Sequence, residues 1–308
     1  MTKQEILEQI KKVTHNNYLR LPEAIDMVAE NGNLIITMTP KGLKDNMQND
    51  SSAFEGWAIT IKAIMPDVAG MVVIKWKGIG LGKGSTFNHY RRFLYRLIRF
   101  EESYEWVSYE PLDTQAYSDI KTVAAEIHNW VVNYPNSESI SEAQKGEAHL
   151  ERHLKDKLKE MFVTSDHQLP VGLFNMEKSE KNERTPGRKS QVDLWSLSGD
   201  TFTVYELKKD KNREVGIISE LMFYVNVFKD LSEGIFHFSK GAEKSDFRSF
   251  KVLYEAVREH RINNVCGVFL TNDFHTIIQL GGTRVFRLLN DNSRHIEYKQ
   301  TGFIVSEI

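Results

Sequence analysis

The strand-like run Val204-Tyr205-Glu206-Leu207-Lys208 carries a carboxylate and an ammonium two residues apart. Side chains alternate across a strand, so Glu206 and Lys208 share one face while Tyr205 and Leu207 take the other. Upstream, Asp193 stands between Val192 and Leu194, whose side chains point the opposite way. Ser198-Gly199-Asp200 lies between the two runs and signals a hairpin turn. Pairing around that turn brings Asp193 toward Glu206. Two close carboxylates repel unless a cation lies between them. Oxygen-only ligands suit magnesium, which keeps several waters and binds through one or two carboxylates. Lys208 is then placed to orient or deprotonate an attacking water, and the metal to stabilise charge developing on a phosphate. The Glu-x-Lys triplet alone is common, and a surface hairpin with an ordinary Glu–Lys contact is the competing reading.

Two further elements carry acids in informative places. On the helical run from Ser141 to Phe162, Glu147 falls in the middle of the apolar stripe of Leu150, Leu154, Leu158 and Met161, with Glu151 near its edge. A buried carboxylate is costly without a partner. Glu147 is therefore either a first-turn residue in solvent or the partner of a metal or metal-bound water. After Lys208, Glu220 and Tyr224 sit four residues apart and share a helix face bordered by Ile217, Leu221 and Phe228. A rim Glu beside a core Tyr is the plainer account of that pair.

Together these pieces resemble the PD-(D/E)xK nuclease superfamily, closest in pattern to its NucS-type and RecB-type nuclease domains. The order is an acidic helix, Val192-Asp193-Leu194, Tyr205-Glu206-Leu207-Lys208, then Ser219-Glu220-Leu221-Met222-Phe223-Tyr224. The resemblance covers roughly residues 146–230. It implies a restriction-endonuclease-like α/β/α core with a mixed central sheet. It also implies a magnesium site, with manganese able to substitute, at Asp193, Glu206, Leu207 and Glu147, and Glu151 as the other candidate for the helical acid. Lys208 is the implied catalytic lysine. Glu220 and Tyr224 match a Gln-x-x-x-Tyr pair of the relatives, with Glu where they carry Gln. The implied activity is hydrolysis of DNA phosphodiester bonds, in restriction, defence or repair. The alternative is a catalytically inactive nuclease-fold module that binds nucleic acid or a protein. A different metal hydrolase is the third reading.

Other motifs invite chemistry and fail on spacing. Gly78-Ile79-Gly80-Leu81-Gly82-Lys83-Gly84-Ser85 follows a strand and precedes a helix, but Lys77 stands where a phosphate loop needs glycine, and Ser85 where a dinucleotide fingerprint does. His149 and His153 lie four apart, but a zinc helix needs Glu directly after the first His. They point away from the Glu147 stripe, toward solvent. The helix over Phe87–Phe100 is basic and aromatic. Arg91, Arg92, Arg96 and Arg99, with Lys83 nearby, are candidate DNA-phosphate contacts, against a plain amphipathic helix with a cationic outer face. Arg184, Arg188 and Lys189, in the polar stretch 177–190, are further candidate contacts.

These residues need positioning elements. The first part reads as an α+β module over residues 1–138. It has an opening helix at Ile6, Ile10 and Val13, and strands at Leu34–Met38, Trp57–Ile61 and Met71–Trp76. Helices follow at Phe87–Phe100 and Ala116–Val132. The Pro, Asn and Ser cluster at Asn133–Ser139 marks a boundary. Residues 139–308 read as the nuclease-like domain, in the order αββαβ. A helix at Ser141–Phe162, the two site strands and a helix at Glu214–Lys229 are followed by a helix at Ser249–His260, a strand at Cys266 and two strands near Ile277 and Val285. The 308 residues suffice for two domains. A net charge of −2 gives no global pull on nucleic acid, so any basic surface is local. One cysteine excludes a disulfide framework and a thiolate zinc finger. Lacking a signal-like N-terminus or a ~20-residue apolar run, the chain is expected to be cytoplasmic, with no membrane partner. A homodimer or a protein partner through the first domain is compatible with the sequence.

Overall fold

The Asn31-Gly32 pair sets the first chain reversal. Both residues have positive φ, 52° and 77°, as the hairpin turn that matches strand twist requires. They follow α1 (Lys3–Thr14) and join β1 (Ile25–Glu30) to β2 (Asn33–Met38). The computed structural model describes residues 1–136, 147–186, 190–208 and 214–302, with the backbone alone for 147–149. The chain forms two units.

In the first unit, α2 (Pro40–Lys44), α3 (Phe54–Ile64), β3 (Met71–Trp76), α4 (Ser85–Ser103), β4 (Val107–Pro111) and α5 (Thr114–Glu126) follow. The sheet runs β1-β2-β3-β4. β1 is antiparallel to β2, and β2, β3 and β4 are parallel. α3 replaces the strand expected at Trp57–Ile61. Phe54, Trp57, Ala58, Ile59 and Ile61 are all buried, and a helix covered on every side loses the polar face that would reveal its period.

The second unit opens with β5 (Trp130–Val132), not with the expected end of a helix. It continues through α6 (Glu147–Met161), β6 (Thr164–Pro170), β7 (Leu173–Asn175), β8 (Gln191–Ser198) and β9 (Thr201–Leu207). Next come α7 (Gly216–Ser232), β10 (His237–Phe238), α8 (Phe250–Arg258), β11 (Asn264–Leu270), α9 (Thr276–Asn290) and β12 (Glu297–Thr301). The strands expected near Ile277 and Val285 are instead the two halves of α9, kinked at Gly282 (φ 44°). The division is not one cut near residue 138. Asn212–Glu220 and Asp273–Arg294 also belong to the first unit, and the second starts at Glu126. The physical reason is packing: α9 lies on α3, where Gly281 approaches Ala63 closely, and Leu289 accepts a hydrogen bond from the Tyr104 hydroxyl at 3.0 Å.

The main sheet of the second unit runs β12-β11-β9-β8-β6. β12, β11 and β9 are parallel, while β8 is antiparallel to both β9 and β6. Leu194, Tyr205, Leu207 and Leu270 face α6 and bury Leu150, Leu154 and Leu158 against them. The opposite face meets α7. There Phe202 and Phe228 stack with ring centroids 4.4 Å apart, and Gly267 lets the helix approach at Leu221 and Val225. This unit is therefore a mixed sheet with a helix on each face, an α/β arrangement. Among the described residues no helix is long and apolar enough to cross a membrane.

Candidate active site

The β8–β9 hairpin turns at Gly199, whose φ is 60°. Its register pairs Leu194 with Tyr205 and ends there. Continued by one residue, it sets Asp193 opposite Glu206, where side chains of an antiparallel pair share a face about 5 Å apart at Cβ. Asp193 is half-buried. Its Oδ2 accepts the backbone N–H of Leu207 at 2.9 Å. Glu206 is 1% exposed, and its Oε1 accepts from Lys208 Nζ at 2.5 Å. The Lys208 side chain remains 27% exposed. Its backbone N–H donates to Leu270 at 3.2 Å, fixing the residue at the end of β9 against β11. The structure thus brings Asp193, Leu207, Glu206 and Lys208 together, and the first and third on the α7 face of the sheet.

The helical acid is different. α6 packs on the other face, against Leu194, Tyr205 and Leu207. The Glu147 side chain lies outside the described residues. Glu151 is buried and accepts from Gln168 Nε2 at 3.4 Å, on β6. Among the described residues no group of three His, Cys, Asp or Glu side chains is disposed to hold one metal ion. Glu151 stands on α6, which packs on the sheet face opposite Asp193 and Glu206. The two-carboxylate set still fits magnesium, which binds through one or two carboxylates and keeps several waters.

Glu220 and Tyr224 are both buried. Glu220 accepts a hydrogen bond from Gln48 within the first unit. Tyr224 packs against Phe223 in the second, ring centroids 5.7 Å apart. Gln48 has no local signal, because it meets Glu220 across 172 residues. The neighbouring residues of α7 are held in the same way. Ser219 donates to Glu55 at 2.7 Å, and Asp50 accepts the Val215 N–H at 2.7 Å.

The basic helix is a clear correction. Arg91, Arg92, Arg96 and Arg99 of α4 are buried, Arg96 to 3% exposure. Arg91 donates to the carbonyls of Leu81 and Gly82, and Arg92 to Asn46. Arg96 forms a two-point ion pair with Glu55, its Nε 2.8 Å from Oε1, and also donates to Ser52 O. These cations face protein acceptors and form no cationic outer face for phosphate. In the adjacent glycine loop, carboxylates already take the amides: Gly78 donates to Asp113 and Gly80 to Asp119, each at 3.1 Å. Lys83 is exposed on that loop. Arg184 is paired with Glu126 at 3.1 Å. Arg188 and Lys189 lie outside the described residues.

A polar cluster on β6 escaped the sequence reading. Asp166 Oδ1 contacts His167 Nδ1 at 2.7 Å, and its Oδ2 contacts Lys159 at 3.3 Å and Ser249 at 3.2 Å. Burial pushes the Asp166 carboxyl up, but the His167 hydrogen bonds and Lys159 outweigh it and bring it to about 2. No protein-family model, no curated protein and no solved structure matches this chain.

Proposed function

We propose that this chain is a magnesium-dependent nuclease that hydrolyses DNA phosphodiester bonds, with a restriction-endonuclease-like second unit. The observation that carries the reading is the convergence of Asp193, Glu206 and Lys208 at one end of the β8–β9 pair. The mixed sheet with α6 and α7 on opposite faces supports the fold assignment. Both acids stand on paired strands, which hold catalytic groups more accurately than loops do.

Asp193 and Glu206 would hold the metal, with the Leu207 carbonyl beside them. A bound magnesium supplies a Lewis acid for the phosphoryl oxygen and lowers the pKa of a coordinated water. Asp193 is oriented by the Leu207 amide, which fixes its carboxylate at the end of the β8–β9 pair. Glu206 is buried and cannot swing into solvent, which keeps its carboxylate on the α7 face. Lys208 keeps a partly exposed side chain. Its ammonium rests on Glu206, and that exposure lets it move to the attacking water, orient it and hold charge at the phosphate.

A second reading keeps the fold and drops the chemistry: an inactive module that binds nucleic acid or protein. It is favoured by Glu220, which stands where the resemblance expects Gln and is engaged by Gln48. One experiment separates the two. Supercoiled plasmid and single-stranded DNA are incubated with the full chain in magnesium or manganese, beside Lys208→Ala. Metal-dependent cleavage by wild type alone supports the nuclease. Identical behaviour of the two proteins removes that reading. No cleavage with a retained gel shift supports the binding module.

A further inference from the structure

The Glu206 carboxylate is 1% exposed, and a buried carboxylate needs a cation to offset its lost hydration. Lys208 supplies one from its own strand. Residues two apart share a strand face, which sets the ammonium beside the carboxylate, and Nζ stands 2.5 Å from Oε1. The Lys208 backbone is held by its N–H bond to Leu270. Only the side chain can therefore carry the ammonium away from Glu206, and that side chain is 27% exposed.

The oxygen under the ammonium belongs to an acid proposed above as a metal ligand. A magnesium ion binds a carboxylate oxygen at about 2.1 Å. With Lys208 Nζ still on the same oxygen, the two cations would stand about 4 Å apart, where a buried site screens their repulsion poorly. Glu206 Oε1 has room for one of them at a time.

We propose that Lys208 is a built-in competitor of the metal. Its ammonium holds Glu206 until a divalent cation takes Oε1, and the exchange releases the lysine toward the attacking water. Loading thus comes first and delivery of the lysine second, and the buried carboxylate is never left without a cation. This rests on the metal site proposed above.

The test reads the lysine itself, without DNA. The full chain is titrated with magnesium by calorimetry. It is then acetylated with an amine-reactive ester, with and without saturating magnesium, and the modified lysines are quantified by mass spectrometry. Acetylation of Lys208 should rise several-fold with magnesium. Lys299, paired with Glu297 on β12, should not change, and Asp193→Asn should abolish the rise at Lys208. Lys208→Gln should bind magnesium on the order of tenfold more tightly than wild type, because the competing charge is gone. The labelling uses the unaltered chain, so it decides even where Lys208→Gln fails to fold. Magnesium binding with flat Lys208 labelling, or with no gain in Lys208→Gln, overturns the proposal and leaves the metal site standing. If neither wild type nor Lys208→Gln binds magnesium, the site and the proposal fall together. Exchange at Lys208 in a chain that cleaves no DNA supports the proposal and removes the nuclease reading alone.

Discussion

Asp193 Oδ2 accepts the backbone N–H of Leu207 at 2.9 Å. The bond ties an acid on one strand to the residue between Glu206 and Lys208 on the next. It lies just beyond the last regular pair of the ladder, Leu194 with Tyr205. A side-chain carboxylate thus satisfies an amide that the partner strand's backbone leaves at the end of the pairing. Structure and proposed chemistry meet in one carboxylate: the side chain that holds the hairpin end together is also the proposed metal ligand.

Those two roles separate on substitution. Asp193→Asn keeps an oxygen acceptor for Leu207 but loses the charge. It should leave stability within about 1 kcal/mol of wild type, whereas Asp193→Ala should cost about 1 kcal/mol more through the lost hydrogen bond. Magnesium at ten times its dissociation constant should stabilise wild type by about 1.4 kcal/mol, a rise of about 3 °C in unfolding temperature. Neither variant should show that rise. Scanning calorimetry with and without the metal checks this, and a wild-type unfolding temperature indifferent to magnesium counts against the site.

Arg96 and Glu55 form a buried ion pair in the first unit, with Ser219 as a third member. Removing one partner of such a pair leaves the other charge in a poor medium and costs about 3–5 kcal/mol. Arg96→Met should destabilise by that amount in urea unfolding, and Arg96→Met with Glu55→Leu should recover most of it. A surface arginine bound to phosphate would behave differently. Its loss would weaken DNA binding while leaving unfolding within about 0.5 kcal/mol of wild type.

The contrast between Arg96 and Glu206 explains what the sequence discloses. Glu206, Lys208 and Asp193 were readable because they sit on two neighbouring strands joined by a short turn. Alternation fixes their faces, and a Gly at positive φ fixes the hairpin. The residues of α4 showed a basic helix but not its environment, because Glu55 lies 41 residues from Arg96 and no local pattern announces it. Trp57–Ile61 read as a strand because a helix buried all round shows no polar period. α9 was broken into strands by Gly281-Gly282. β6 (Thr-Ser-Asp-His-Gln-Leu-Pro) and β12 (Glu-Tyr-Lys-Gln-Thr) were missed because both are polar edge strands, without the apolar alternation that marks a half-covered one.

Gly267 shows how closely α7 lies on the sheet. A Cβ there would stand 2.9 Å from Val225 Cγ1 and 3.2 Å from Leu221. β11 is an interior strand and α7 covers it, so the strand cannot shift without opening that layer. Gly267→Ala should destabilise by about 1–3 kcal/mol through overpacking. Adding Val225→Ala should return part of the loss by clearing the nearer contact. Equilibrium urea unfolding of the single and double variants measures the coupling, and strict additivity would show that the contact is not the cause.

Asp50 and Asp166 predict opposite limbs of a pH profile. Asp50 accepts the Val215 N–H at the start of α7. Burial raises its carboxyl to about 6; Glu214 adds to the rise, and the Val215 and Gly216 amides oppose it. Between its ordinary value of 3.8 and about 6, the folded chain holds a proton that the unfolded chain has released. Stability therefore falls as pH rises through that window, by up to about 3 kcal/mol from this group. Asp166 titrates at about 2 against an ordinary 3.8. Between those values the unfolded chain holds the extra proton, so its contribution is lost as pH falls through the window. Asp50→Asn should flatten the upper limb and leave the lower one, and Asp166→Asn should do the reverse. Urea unfolding at half-unit steps from pH 2 to 7 reads both limbs, and an Asp50→Asn profile parallel to wild type between pH 4 and 6 would show that Asp50 does not carry the slope.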